Sequence, residues 1–426
     1  VIDGSAASPF VTDTHYDVVI AGGGMVGVSL ALTLDRLAGG RLRLLLVEGF
    51  AVPEGASATP VYRPSFDARA TALSHGSRCI LEQLGIWDTL SGHTTPITDI
   101  HVSERSHFGS VALNAASRGW PALGYVVENA WLGNVLLNAL RQRPAITLLS
   151  PATVTGCAAG AEGAVATIEC RGENRRVSAA LIAIADGADS GLRDRLGIAA
   201  TVSDYRQNAI IANVCCRQPH AGFAYERFTD WGPMALLPLA ESADGETRMA
   251  LVWTMPPERA ERLLSASDGV FLNTLQQRFG QRQGQFLRVG QRQSFPLKLI
   301  TADEQARRQL VLVGNAAHSL HPVAGQGFNL ALRDVQRLAE TVAESAARNE
   351  RIGELAVLQR YLQRQAVDQW KTTLFSDRIT ALFEQPLLGG LRRLGLLALD
   401  LNPSLKNSFI DQTAGYHAGA ALGWPA

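Results

Sequence analysis

The stretch from Tyr16 to Glu48 constrains this chain more than any other. Tyr16-Asp17-Val18-Val19-Ile20-Ala21 is a short β-branched apolar run, it passes directly into Gly22-Gly23-Gly24-Met25-Val26-Gly27, and a helical pattern follows through Leu37. A second apolar strand, Leu42 to Val47, ends at Glu48. Strand, glycine turn, helix, strand and terminal carboxylate form the βαβ unit that holds a dinucleotide. Gly22 permits the tight turn, Gly24 lets a pyrophosphate approach the backbone at the positive helix end, and Gly27 lets helix and strand pack closely. Met25 and Val26 belong to the same binding turn, and Glu48 is placed to accept hydrogen bonds from a ribose. A glycine-rich turn without a ligand is the plainer alternative. FAD and NAD carry the same adenosine diphosphate half, so this unit does not separate them.

Two further segments repeat the plan of a strand feeding a loop at a helix start. Ala180-Leu181-Ile182-Ala183-Ile184-Ala185 is a buried-strand run that stops at Asp186-Gly187-Ala188-Asp189-Ser190, with Arg193 on a short helix beyond. Gln309 to Val313 reads as a strand, Gly314-Asn315 ends it, and a helix begins near Phe328. Between them lies HSLHPVAGQG, with His318 and His321 three apart. Pro322 follows at once and no third ligand stands nearby, so a metal site is not expected. Ser319 lacks a GxSxG elbow, which argues against a hydrolase.

Composition narrows the classes. The chain has 426 residues, 46% hydrophobic and 18% charged, which fits a folded enzyme of more than one domain. Its formal net charge is zero, giving no basic footprint for nucleic acid. The cysteines Cys79, Cys157, Cys170, Cys215 and Cys216 show no CxxC spacing, so neither a disulfide framework nor a zinc site is expected. The leading VIDGSAASPFVTDTH lacks an export-signal profile, and no run approaches the ~18 apolar residues needed to cross a bilayer. A cytoplasmic protein is expected, with any contact at the inner membrane peripheral.

GGGMVG with Glu48, ADGADSGLR, and GNAAHSLHPVAGQGFN stand in an order and spacing that resemble the class A flavoprotein monooxygenases, the aromatic-ring hydroxylases related to p-hydroxybenzoate hydroxylase. With FDARATAL and HVSERSHFG, the Gly-Asn-Ala-Ala variant resembles the bacterial 2-polyprenyl-6-methoxyphenol hydroxylases of ubiquinone biosynthesis. The resemblance implies bound FAD and a transient NAD(P)H co-substrate. It implies a prenylated phenol and O₂ as the reactants, hydroxylation through a flavin C4a-hydroperoxide, and partners among ubiquinone-biosynthesis proteins. By the same carry-over Asn315 contacts the ribityl chain in place of the family's usual Asp, keeping an acceptor and losing a charge. The loop through Pro322, Gly325, Gln326 and Gly327 passes beside the isoalloxazine, where Gly325 and Gly327 allow backbone amides to approach the ring. Asn329 caps the following helix or bonds the flavin. Arg69 lies near the pyrophosphate or flavin, Asn129 opens a helix facing the cofactor, and Asp186 with Arg193 supports FAD and helps the nicotinamide nucleotide dock. No residue is singled out as a catalytic base. A reductase of prenyl chains and a non-catalytic scaffold subunit are the rival readings.

The implied fold is α/β in a two-domain α+β arrangement: a Rossmann-like FAD-binding domain, an inserted mainly β-sheet substrate domain, and C-terminal helices. The FAD-binding domain takes 15–96, 123–203 and 297–368; the substrate domain takes 97–122 and 204–296; 369–426 is helical. Tyr205, Tyr225, Phe228, Trp231 and Trp253 are expected as sheet core or pocket lining. Cys215 and Cys216 are expected to pack in a substrate-domain strand, and Leu387, Leu391, Leu394, Ala398 and Leu401 form an amphipathic helical face. Packing is the first reading of that face, with a partner or a membrane surface as the others.

Overall fold

A computed structural model of the protein describes residues 15–52, 60–62, 65, 69–105, 110–242, 244–319, 326–384 and 402–415, with the backbone alone over 373–384. Among these residues the strands form three sheets, of eight, nine and three strands. The core of the first sheet is parallel and runs Leu310–Leu312, Glu173–Ile184, His15–Ala21, Leu44–Val47, Ile146–Leu149. Alternation along these strands fills both faces. Val18 and Ile20 point into one core with the helices Met25–Ala38, Asn129–Arg141 and Gln326–Ala347, while Val19 and Ala21 point into another with Ile168, Leu192 and Ala316. A parallel sheet covered on both sides accounts for the unbroken apolar runs in its strands.

The nine-stranded sheet runs His318–Ser319, Gln293–Ala302, Ala200–Cys216, Thr247–Met255, Gly232–Leu239, Phe223–Thr229, Asp99–Glu104, Ser110–Asn114, with Phe286–Val289 also on Ala200–Cys216. Its members thus come from chain segments on both sides of the second dinucleotide-site strand. The helices Pro257–Ser265 and Asp268–Phe279 cover one face, burying Met234, Leu236, Leu251 and Trp253 completely. Tyr225, Trp231 and Cys216 belong to this same core, and Trp231 stacks on Trp253 with centroids 5.6 Å apart. Of the aromatics expected as sheet core or pocket lining, Tyr225, Trp231 and Trp253 serve as core.

The three-stranded sheet, Ala70–Ser74, Gly124–Glu128 and Thr94–Ile97, sits between the other two. Helix Leu355–Glu384 runs unbroken through residue 369 and packs on Gln326–Ala347. Helix Pro403–Thr413 lies across Ser110–Asn114, with Ile410 packed among Val111, Leu113 and Leu123. The expected amphipathic face of Leu387 to Leu401 lies outside the described residues, as do Pro322 and Gly325.

Candidate functional site

The three motifs meet at the carboxyl edge of the parallel sheet. Gly22 N–H donates to Val47 O at 2.9 Å, Ala185 N–H to Ala21 O at 2.8 Å, and Val313 N–H to Ile184 O at 2.9 Å. These bonds tie the ends of neighbouring strands together and bring the loops that follow them to one place. Ligands of open parallel sheets bind outside this edge.

Gly22 takes φ +108°, and a Cβ there would lie 2.5 Å from Ala185 O. Gly27 is tighter still: a Cβ would meet Gly22 O at 1.9 Å. Gly24 caps helix Met25–Ala38 without a side-chain partner, is exposed, and has open space where a Cβ would stand. The first amides of this helix, at Met25 and Val26, therefore face an uncovered helix start with its partial positive charge. Glu48 closes the turn: its Oε2 accepts from Gly23 N–H at 2.7 Å and its Oε1 from Phe50 N–H at 2.8 Å. A carboxylate has room for further donors, so these bonds fix its orientation while leaving acceptor capacity.

The second and third motifs are braced onto the first. Gly314 backs directly onto the Val26 side chain, 2.9 Å from where its Cβ would be. Asn315 is exposed between buried Gly314 and Ala316 in a short 3₁₀ turn. Asp186 is exposed and accepts from Leu192 N–H at 3.3 Å. Arg193, expected to help a nucleotide dock, is buried instead; its Nη1 donates to Ala188 O at 3.1 Å and Ala316 O at 3.3 Å, joining the second motif to the third.

Asn329, expected as a helix cap or a flavin ligand, is bonded within the protein. It is 2% exposed, one turn inside helix Gln326–Ala347; its Oδ1 accepts from Ser74 N–H at 2.8 Å and Ser77 Oγ at 2.6 Å, and its Nδ2 donates to Ala72 O at 2.8 Å. Gln326, the first residue of that helix, is buried with Nε2 3.3 Å from Thr413 O, while Gly327 has open space around it. His318 is likewise structural, buried with Nε2 2.5 Å from Asp334 Oδ2.

Arg69 is exposed, its guanidinium 5.9 Å from the Phe295 ring centre on the nine-stranded sheet. Asn129 opens its helix with Oδ1 2.7 Å from Thr71 Oγ1, and its N–H donates to Arg69 O at 2.8 Å. Beside it, Glu128 makes a buried ion pair with Arg248 at 3.2 Å, the two side chains 5% and 2% exposed. Burial first, and then Glu128, push the Tyr62 hydroxyl above its usual range. This pair, linking the three-stranded sheet to Thr247–Met255, had no signal in the sequence, since its members stand in separate apolar runs.

Among the described residues no cluster of His, Cys, Asp or Glu is arranged for a metal, and no helix is long and apolar enough to cross a membrane. The uncapped helix start, the exposed Asn315 and the oriented Glu48 form a donor and acceptor set suited to an adenine dinucleotide.

Residues 15–367 match the family model described as FAD binding domain. The chain is 34% identical over 415 residues to ubiquinone hydroxylase UbiL of Rhodospirillum rubrum, covering 96% of this chain and 92% of that one. It is 31% identical to 3-demethoxyubiquinol 3-hydroxylase of Escherichia coli, covering 95% and 100%. In fold it resembles p-nitrophenol 4-monooxygenase PnpA of Pseudomonas putida, with a TM-score of 0.74 at 17% identity over 95% of this chain and 99% of that one. The chain belongs to the FAD binding domain family, as an FAD-dependent aromatic-ring monooxygenase.

Proposed function

We propose that this protein hydroxylates the ring of a prenylated phenol in ubiquinone biosynthesis, using NAD(P)H and O₂. The observation that carries the reading is the convergence of three motif loops on one sheet edge, around an uncapped helix start. Relatives named as ubiquinone hydroxylases match nearly the whole chain.

In this reading Gly22, Gly24 and the amides of Met25 and Val26 hold the FAD pyrophosphate, and Glu48 holds the ribose. Asn315 meets the ribityl chain, and the loop through Pro322, Gly325, Gln326 and Gly327 lies along the ring. Arg69, Asn129 and Asp186 flank the cofactor. FAD, when bound, supplies the activation of O₂ after reduction by NAD(P)H. The chain's own residues contribute the rest: an apolar wall that keeps water from the reacting ring, and a rigid edge that fixes where the ring lies. A prenyl tail partitions into lipid, so the proposal includes contact with a membrane surface when substrate is taken up.

The test is reconstitution with FAD, followed by mass spectrometry of a prenylated 2-methoxyphenol incubated with NAD(P)H and heavy-oxygen O₂. The expected product carries one labelled oxygen. Conversion without label points to a reductase, and protein that takes up no FAD points to a scaffold; either result overturns the proposal.

A further inference from the structure

Among the described residues no element seals one face of the nine-stranded sheet completely, and the acidic side chain of Glu226 stands in the middle of it. Register across the strands sets Val102, Glu226, Ala235, Val252, Ile211 and Gln293 side by side. All six are partly exposed. On the strands from Ile210 to Phe228, their immediate chain neighbours Ile210, Met234, Leu236, Leu251 and Trp253 point the other way and are fully buried.

The surroundings make this face a recess. The next row along it, Ala224, Leu237 and Ala250, packs on Ala70, Ala72 and Val126 of the three-stranded sheet. At one end Val111, paired with Val102, lies under Ile410 of helix Pro403–Thr413. Farther along the strand that carries Gln293, Ile300 and Thr301 pair with Ser319 and His318.

We propose that Glu226 is a catalytic base, its carboxylate taking the hydroxyl proton of a phenolic substrate bound in this recess. The inference rests on the phenol hydroxylation proposed above and assigns it a residue that the sequence does not single out. Glu226 has no hydrogen-bond or ion-pair partner among the described residues. Burial pushes its carboxyl up to about 8, with no charge contributing. The charged groups on the same face, among the described residues, are Glu104, diagonal to it, Arg248, held by Glu128, Arg288 paired with Glu246 beside Cys215, and Arg69, above Phe295. Glu226 is partly exposed, on a face that the three-stranded sheet partly covers. An unpartnered carboxyl there costs stability and has no structural partner to offset it, which marks a functional position.

The chemistry balances. The phenol O–H bond breaks, its electron pair stays on the phenol oxygen, and the proton forms a neutral carboxylic acid at Glu226. Electron density rises at the ring carbons ortho and para to that oxygen, where the new hydroxyl is added. The acid then returns its proton to water. A phenol titrates near 10, so a base near 8 is matched to within about 2 units, where an ordinary carboxylate falls short by about 6.

The test uses FAD-loaded protein, NAD(P)H and a short-tailed prenylated 2-methoxyphenol, comparing wild type with Glu226→Gln. Because the ionised base is the working form, wild-type kcat/KM rises as pH passes through about 8. Glu226→Gln loses that limb and about 100-fold or more in kcat, with KM for the phenol and FAD content little changed. Melting temperature gives a second readout. The folded protein keeps a proton that the unfolded chain releases above 4.5, so wild type loses stability as pH rises from 4.5 to about 8, and Glu226→Gln does not. Should Glu226→Gln fail to load FAD, Glu226→Asp replaces it, with kcat lowered and the pH limb kept. Equal rates and pH profiles in wild type and Glu226→Gln, or coincident melting curves across that range, overturn the proposal. A wild type that hydroxylates no phenol removes the reading beneath it, which is seen without any variant.

Discussion

The two large sheets are built from similar apolar strands, and they differ in how many faces are closed. The parallel sheet is sealed on both sides, with Val18 and Ile20 under one set of helices and Val19 and Ala21 under the other core. Its chemistry is therefore pushed to its edge, where Gly22, Asp186 and Asn315 follow the strand ends. The nine-stranded sheet is sealed on one face by Pro257–Ser265 and Asp268–Phe279, while among the described residues the three-stranded sheet and helix Pro403–Thr413 cover the other face only in part. In the proposed function one sheet presents backbone ends to the cofactor, and the other presents side chains to the substrate.

The largest effect expected from disturbing this arrangement is at the buried ion pair between Glu128 and Arg248, where the two regions are fastened. Arg248 also donates to Ala240 O at 2.8 Å and Ser65 O at 3.0 Å. Arg248→Met leaves a buried carboxylate without its cation, at a cost of about 3–5 kcal/mol. Adding Glu128→Gln recovers part of the loss, because the stranded charge is gone. Denaturant midpoints of the three proteins measure this, and a loss below about 1 kcal/mol would mean that water reaches the pair.

The contrast between the two faces of the second sheet is tested by neighbours in one strand. Leu251 is fully buried beneath the helices, and Val252 is partly exposed on the recess side. Leu251→Ala is expected to cost about 3 kcal/mol through lost burial and a cavity. Val252→Ala is expected to cost about 1 kcal/mol or less and to alter phenol KM instead. Similar losses at both positions would show the recess to be packed as tightly as the core.

The same difference decides what a reader of the sequence can see. Gly22, Gly27 and Glu48 are legible because their work is local: a strand ends, a turn follows, and a helix begins within a few residues. Thr247–Met255 reads TRMALVWTM, apolar on both faces, so nothing in it says that Leu251 faces helices and Val252 a recess. Trp231 and Trp253 attract attention as pocket aromatics by size alone, yet register puts them in the sealed core. Asn329 sits in a motif beside the flavin loop, but its partners Ala72, Ser74 and Ser77 lie some 250 residues away in the chain. Glu226 stands in FAYERFT, where a charged residue beside an arginine looks like ordinary surface alternation.

The smallest expected effect concerns helix Pro403–Thr413, which touches both regions. Ile410 packs on strand Ser110–Asn114 at the end of the recess, while Ala414 O accepts from Gly76 N–H at 3.0 Å on the flavin side. Arg118 latches the helix with a two-point bond to Asp411, Nε to Oδ1 and Nη2 to Oδ2, each 2.8 Å. Both side chains keep some solvent access, so the Coulomb attraction is screened and Arg118→Lys is expected to cost about 1 kcal/mol or less overall. Lysine keeps the charge and loses the fork, so the helix becomes easier to detach while the rest of the fold is untouched. Amide exchange over 403–415 is then faster in Arg118→Lys, with protection in Thr247–Met255 unchanged. Exchange that stays at the wild-type rate would mean that Ile410 and the backbone bond to Gly76 hold the helix without the latch, and that the recess is closed at this end by packing alone.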